Sequence, residues 1–187
     1  MSAVLDLIGA VTAQGAMIGC GLIFITAGVQ KLRHRHILAG VVANYRILPA
    51  GLVAPVSTAL PPAEILIGAL LLVGPVPLAT IAAVALLLTF ATAMAVNLGR
   101  GRHQIHCGCG RLDLQQRLGW GKVFFNLLLA ALMMIPTDFA QPFDAMAHAS
   151  ALFAGGALWI LHLLFESIGA VKAFATPLPS HAPNRSR

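Results

Sequence analysis

The apolar run LATIAAVALLLTFATAMAVNL, residues 78–98, carries no charged side chain and is long enough to cross a lipid bilayer as one helix, which needs about 20 residues. The rest of the chain has the same character, with 58% hydrophobic residues, 10% charged residues and a mean hydropathy of +0.86. Soluble domains average about 25% charged residues. The sequence therefore predicts an all-α integral membrane protein that occupies residues 1–175, followed by a disordered polar tail at residues 176–187.

Four further apolar stretches flank this run and complete a predicted helical bundle of about five transmembrane helices. They lie at about residues 7–29, 49–73, 123–135 and 146–171. Prolines interrupt the second of these helices, at positions 55, 61 and 62. Each proline removes a backbone donor and clashes with the preceding turn, so a kinked or broken helix is predicted there. The stretch at 123–135 is short for a span and is expected to extend backward to residue 118 or to tilt.

Charged side chains inside the predicted spans are the second feature to explain. A charge at the centre of a membrane helix costs about 2.5–3.5 kcal/mol on insertion scales, so Glu64 is expected to face the bundle interior and to have a partner. Lys31, Arg46, His162 or protonation of the carboxyl group would each satisfy it. Glu64 and Lys31 are therefore candidate site residues, as intramembrane charges that pair. His162 and Glu166 share one helix face; they form a further functional hypothesis or, because they lie toward the helix end, simply reach the membrane interface.

A polar, glycine-rich segment at residues 98–111, LGRGRHQIHCGCGR, interrupts the apolar chain and contains Cys107 and Cys109. One glycine separates the two thiols, so they are able to close a small strained disulfide or to offer two soft sulfur ligands. Neighbouring arginines at positions 100, 102 and 111 would favour the reactive thiolate. The first hypothesis is therefore that these cysteines form a redox pair that exchanges electrons with a partner protein. The third cysteine, Cys20, lies in an apolar run and is predicted to be a buried, inert thiol.

Two alternatives to the redox pair remain open. The first is a soft Cu(I) or Zn(II) site, whose ligands would be His103, His106, Cys107 and Cys109. The second is a structural or scaffolding membrane protein, in which the cysteines are incidental and the helices dock a partner.

The distribution of charge predicts the topology of the chain in the membrane. With five spans, all twelve lysine and arginine residues fall on one side, while Asp6, Asp138 and Asp144 fall on the other. Basic loops are retained in the cytoplasm, so the N-terminus is predicted outside and the C-terminus inside. The formal charge of +6 is thereby interpreted as a topology signal and a contact with lipid headgroups, not as a nucleic-acid interface.

A set of residues spread over about 16–129 resembles the MauE family of methylamine utilisation proteins, which is related to the DoxX-like membrane proteins. The matching residues are Phe24, Ala27, Gly28, Lys31, Tyr45, Leu48, Pro49, Leu60, Pro61, Glu64, Gly68, Arg100, Gly101, Cys107, Gly108, Cys109 and Gly110. Many members of that family carry Cys-Gly-Cys-Phe-Gly, whereas Gly110 and Arg111 directly follow Cys109 here. This departure leaves the thiol pair intact.

The resemblance implies a multi-pass protein of the bacterial inner membrane that acts with a MauD-like thioredoxin-fold partner. The two would assist the processing, transport or maturation of the methylamine dehydrogenase light (beta) subunit, a disulfide-rich periplasmic polypeptide. The resemblance implies neither a cofactor for this chain nor that it is the dehydrogenase itself. Because the charge pattern predicts a cytoplasmic cysteine loop, the loop would have to re-enter the membrane, use another electron carrier or act as a reductant.

Overall fold

The computed structural model describes residues 2–74, 76–105, 107–108, 118–135 and 145–175. The described residues form six α-helices, which are α1 (Ser2–Arg33), α2 (Arg35–Asn44), α3 (Ala50–Val73), α4 (Pro77–Gly99), α5 (Trp120–Met133) and α6 (Ala145–Ala175). The predicted polar tail at residues 176–187 lies outside this set, and its disorder stays a prediction.

Four of the helices are long and apolar enough to cross a membrane, and their apolar parts are Leu7–Arg33, Ala50–Val73, Pro77–Gly99 and His148–Val171. The shorter apolar helix α5 accompanies them. The predicted helical membrane bundle is thereby confirmed.

Helix α3 remains continuous through its three interior prolines, so of the two predicted outcomes, a kink or a break, the break does not occur. The helix packs closely against α1 at this point. Pro61 is buried, and its carbonyl lies close to Gly28 of α1. Proline is more frequent in membrane helices than in soluble ones.

Helix α1 is the centre of the bundle and packs most extensively against α3 and α6. Glycines allow the close approach on both sides. On the α3 side, a Cβ atom added to Gly68 would lie 2.7 Å from the carbonyl oxygen of Gly21. On the α6 side, a Cβ atom added to Gly155 would lie 2.9 Å from the carbonyl oxygen of Gly15. Small residues at the contact are the usual means by which membrane helices approach closely.

The directions of the helices follow from these contacts. Gly21 lies against Gly68 and Gly28 against Pro61, so α3 runs antiparallel to α1. Only three residues separate α3 from α4, and the backbone N–H of Val76 donates to the Gly74 carbonyl at 2.9 Å, so α4 runs back in the direction of α1. Helix α6 also runs parallel to α1, because Gly15 lies against Ala154 and Gly19 against Leu158. The chain must therefore return once between α4 and α6, and α5 is the described helix that supplies this return, as in the predicted five-helix arrangement.

Hydrogen bonds join the connection between α2 and α3 to the connection that follows α4. The guanidinium of Arg100 donates to the carbonyl oxygen of Arg46 at 3.5 Å, and Arg102 donates to the carbonyl oxygen of Tyr45 at 3.3 Å. Arg46 has a φ of 50°, in the left-handed region that few non-glycine residues adopt. The two connections thus form one layer at the end of the bundle.

Candidate functional site

The two intramembrane charges singled out by the sequence meet each other between α1 and α3. The ammonium group of Lys31 donates to both carboxylate oxygens of Glu64, at 2.8 and 2.9 Å. Each side chain is only 1% exposed. The ring of Phe90, on α4, lies 5.6 Å from the Lys31 nitrogen and adds a cation–π contact. Of the partners considered for Glu64, the structure brings Lys31 to it, and the two charges neutralise one another inside the bundle.

A glycine at position 28 lets α1 and α3 approach closely enough for this ion pair to form. A Cβ atom at Gly28 would lie 2.8 Å from the carbonyl oxygen of Pro61 and 3.2 Å from the Cβ atom of Glu64. Any side chain at position 28 would therefore push α3 away and lengthen the reach that Lys31 must cover. The small-residue pattern of α1 predicts close packing, but only the helix rotation shows that Gly28 serves the ion pair.

Cys107 lies in the connection between α4 and α5 and is buried, with 4% of its surface exposed. Its sulfur is 3.4 Å from the sulfur of Met94. A small apolar cluster surrounds it, formed by Ala91, Met94, Leu98, Leu118 and Val123. Cys109 and His106 lie outside the described residues, so the second half of the predicted redox pair is not placed.

The backbone around Cys107 is held by a residue of the connection between α2 and α3. The hydroxyl of Tyr45 donates to the carbonyl oxygen of Cys107. Arg102 bridges the same region, because its guanidinium donates to the side-chain oxygen of Asn97 at 2.8 Å and to the Tyr45 carbonyl. Asn97 is fully buried at the end of α4 and donates to the Ala93 carbonyl at 3.0 Å. The sequence predicts no role for Asn97, although an asparagine at the end of an apolar span is the signal that would have identified it.

A glycine in the left-handed region follows Cys107. Gly108 has a φ of 67°, and an added Cβ atom would lie 2.8 Å from a methyl carbon of Val41 on α2. A larger residue would be strained here and would also collide with α2. The Cys-Gly step thus lets the loop turn tightly against the helix that precedes Tyr45.

The sulfur environment and the ion pair lie on the same side of α4. Phe90, which contacts Lys31, also packs on the cluster around Cys107, and Met94 follows it by one helical turn. The buried polar pair and the buried cysteine are therefore linked through two side chains of one helix.

Three structural facts bear on the predicted chemistry of the loop. Arg100 is exposed and Arg102 is committed to Asn97 and Tyr45, so both arginines lie near the loop without enclosing the sulfur. Cys107 is buried, so attack on the disulfide of a partner requires the loop to move outward. His103 is exposed, and among the described residues no three histidine, cysteine, aspartate or glutamate side chains gather as a metal site. The metal alternative also needs His106 and Cys109, which are not described.

The third cysteine and the intramembrane histidine lie elsewhere. Cys20 is fully buried in the core between α1 and its neighbours. His162 and Glu166 face α1 from α6 and line a cavity together with Gln30. The ring of His162 stacks on Phe125 of α5 at 5.2 Å between ring centres. Neither the ion pair nor any described residue of the cysteine loop contributes a side chain to this cavity.

Comparison with known proteins identifies the family. A family model described as methylamine utilisation protein MauE matches residues 8–138. Methylamine utilization protein MauE of Paracoccus denitrificans is 40% identical over 159 residues, which cover 83% of this chain and 86% of that protein. The protein of the same name from Methylophilus methylotrophus is 35% identical over 164 residues, or 87% of this chain and 86% of that protein. No solved structure matches. The chain thus belongs to the MauE family of methylamine utilisation proteins.

Proposed function

We propose that this MauE family member assists the processing, transport or maturation of the methylamine dehydrogenase light (beta) subunit, through thiol–disulfide exchange with a MauD-like thioredoxin-fold partner. Its role in methylamine utilisation and its multi-pass membrane character follow from the family and from the apolar helices. The proposed location is the bacterial inner membrane, with the N-terminus outside and the C-terminus in the cytoplasm.

The observation that carries this proposal is the way Cys107 is held. It lies in a connection at the end of the bundle. The Tyr45 hydroxyl donates to its backbone carbonyl, and Arg102 holds Tyr45 in turn by donating to the Tyr45 carbonyl. A few hydrogen bonds and a small apolar cluster are a modest restraint compared with a helix in the bundle core. A partner that displaces the Tyr45 contact would expose the sulfur to exchange.

The exchange itself balances with the two cysteines and one partner disulfide. A thiolate of the pair attacks the partner disulfide, forms a mixed disulfide and releases one partner thiolate. The second cysteine then attacks the mixed disulfide, so Cys107 and Cys109 become joined as the partner is reduced to two thiols. The reverse sequence reduces the pair and oxidises the partner, with two electrons moving in either direction.

Serine variants of the two cysteines test this proposal. Cys107→Ser and Cys109→Ser are each expected to lower the fraction of correctly disulfide-bonded light subunit at least tenfold, and to trap no mixed disulfide when both are combined. Cys20→Ala is the matched control, because Cys20 is equally buried but lies in the core of α1. The measurement is non-reducing electrophoresis of the light subunit after alkylation, together with quantification of this protein in the membrane.

A scaffolding role is the second candidate, and the burial of Cys107 against Met94 favours it. If the variant lacking both loop cysteines accumulates normally and the light subunit matures fully, the cysteines pack and do not exchange. Stoichiometric copper or zinc in the purified protein, lost in the same variant, would instead favour the metal alternative.

The orientation of the loop needs its own measurement. Intact cells carrying Cys20→Ala are labelled with a membrane-impermeant maleimide before and after reduction. Labelling only after lysis is expected for a cytoplasmic loop. Labelling of intact cells after reduction would show a disulfide open to the periplasm and would contradict the charge-based topology at this loop.

A further inference from the structure

A partly open cavity of about 210 Å³ lies between α1 and α6, within the predicted membrane spans. Its polar lining comes from Thr26 and Gln30 on α1 and from Trp159, His162 and Glu166 on α6. Glu166 is 4% exposed. The hydrocarbon region of a bilayer contains no water to satisfy such groups, so a polar cavity at this place needs an explanation.

Two buried nitrogen atoms at the cavity have no hydrogen-bond partner within the described chain, the Trp159 indole nitrogen and the His162 Nδ1 atom. An indole N–H only donates, whereas an imidazole nitrogen donates or accepts according to its tautomer. Buried polar atoms in native proteins are nearly always paired, and an exception calls for a bound molecule or a functional role.

The surrounding contacts hold these groups in place. The His162 ring stacks on Phe125 at 5.2 Å and 18°, and Phe125 stacks in turn on Phe165 at 5.6 Å. The Trp159 ring packs against the main apolar core. The two unpaired nitrogens are therefore fixed by packing and cannot turn far to find a partner inside the protein.

We propose that the cavity binds the carbonyl end of a membrane-soluble molecule, and that the ring of a quinone is the occupant that fits best. Such a ligand must supply an acceptor for the Trp159 N–H and a group that accepts from or donates to His162, as the quinone and quinol forms do. The cavity is smaller than the roughly 300 Å³ at which drug-sized pockets begin, so it admits one ring with the tail outside. The ester carbonyl of a lipid is the other source of the same group.

The two tryptophans provide the test. The chain contains only Trp120 and Trp159, and Trp120 is 50% exposed, away from the cavity lining. In the Trp120→Phe variant, reconstituted in phosphatidylcholine nanodiscs, menadione is expected to quench the emission of Trp159 saturably. The matched Trp159→Phe variant, which retains Trp120, is expected to show only a linear decrease that never saturates.

Two histidine variants show where menadione binds. In the Trp120→Phe background, His162→Phe is expected to raise the apparent Kd for menadione at least tenfold. His148→Phe, on the same helix but outside the cavity lining, is expected to leave it unchanged. Because the readout is binding, its result does not depend on light-subunit maturation.

Mass spectrometry of lipid retained after detergent purification separates the two sources of the carbonyl group. A lipid that is retained by the parent protein, lost with His162→Phe and not displaced by menadione supports the site with a lipid as occupant. Linear quenching of Trp159 together with no retained lipid would overturn the proposal, and would leave water as the content of the cavity.

Discussion

The buried polar groups at the two faces of α1 differ in whether they have partners. Toward α3, Lys31 and Glu64 satisfy each other within 2.9 Å, and both side chains are almost fully buried. Toward α6, Trp159 and His162 present nitrogens that no described residue pairs, and a cavity lies beside them. Both interfaces use glycine for close approach, so packing alone does not explain the difference. A paired interior charge holds helices together, whereas an unpaired interior donor is available to a molecule that enters.

The sizes of the facing side chains explain where each pattern occurs. Along α3, Gly68 and then Glu64 face α1 one turn apart, so the backbones stay close up to the ion pair. Along α6, Gly155 is followed by Leu158, which already fills the space opposite Gly19. Beyond that point α6 presents large residues to α1, and the cavity begins there.

The largest effect is expected from breaking the ion pair on one side only. Glu64→Gln leaves the Lys31 ammonium buried without its counter-charge, and uncompensated buried charges cost about 3–5 kcal/mol. The folded fraction in the membrane and the Tm in detergent should both fall sharply.

Two controls make that prediction specific to the pair. The double variant Lys31→Met with Glu64→Met is expected to be more stable than either single change, because no charge is left unpaired. Arg33→Met, at an exposed position two residues further along α1, should have little effect. Equal Tm values for Glu64→Gln and the parent protein would mean that Lys31 reaches water.

Glycine-to-alanine changes are expected to have a smaller effect and to act alike on both faces. Gly68→Ala places a methyl group 2.7 Å from the Gly21 carbonyl, and Gly155→Ala places one 2.7 Å from the side chain of Ile18. Overpacking of this kind costs about 1–3 kcal/mol. Chemical or thermal unfolding in detergent measures it.

The matched control for both is Gly169→Ala, because nothing lies within 4 Å of a Cβ atom there. Removing a helical glycine at an open position should stabilise the helix by about 0.5–1 kcal/mol. A tolerated Gly155→Ala beside a damaging Gly68→Ala would show that the two faces differ in packing as well as in polarity.

The sequence predicts the helices well and their mutual rotation poorly. Uninterrupted apolar stretches define the spans, because a bilayer requires that length and composition. The partner of Glu64 stayed open among Lys31, Arg46 and His162, since choosing one needs the close approach that Gly28 permits. The burial of Cys107 depends on Met94 and Tyr45, which are far from it in the chain. No local pattern reports such contacts.

The sequence likewise does not predict that the nitrogens on α6 lack partners. His162 and Glu166 are recognisable as intramembrane polar residues, but whether they find partners depends on what α1 and α5 present to them. Phe125 covers the His162 ring and offers no hydrogen bond, so the Nδ1 atom of the imidazole is packed without a partner among the described residues. This is a property of three helices together.

The smallest effect on stability is expected at His162, and it is the sharpest test of the comparison. His162→Phe keeps an aromatic ring against Phe125 and removes a buried nitrogen that has no partner, so the free energy of unfolding should change by less than about 1 kcal/mol. The Tm of the ligand-free protein in detergent measures this, with Glu64→Gln as the reference for a broken polar contact. A loss as large as that of Glu64→Gln would mean that His162 is bonded inside the folded protein, and that both faces of α1 are held by paired polar groups. A neutral result, combined with weaker menadione binding, would assign His162 to ligand recognition, because binding would then be lost while the fold is retained.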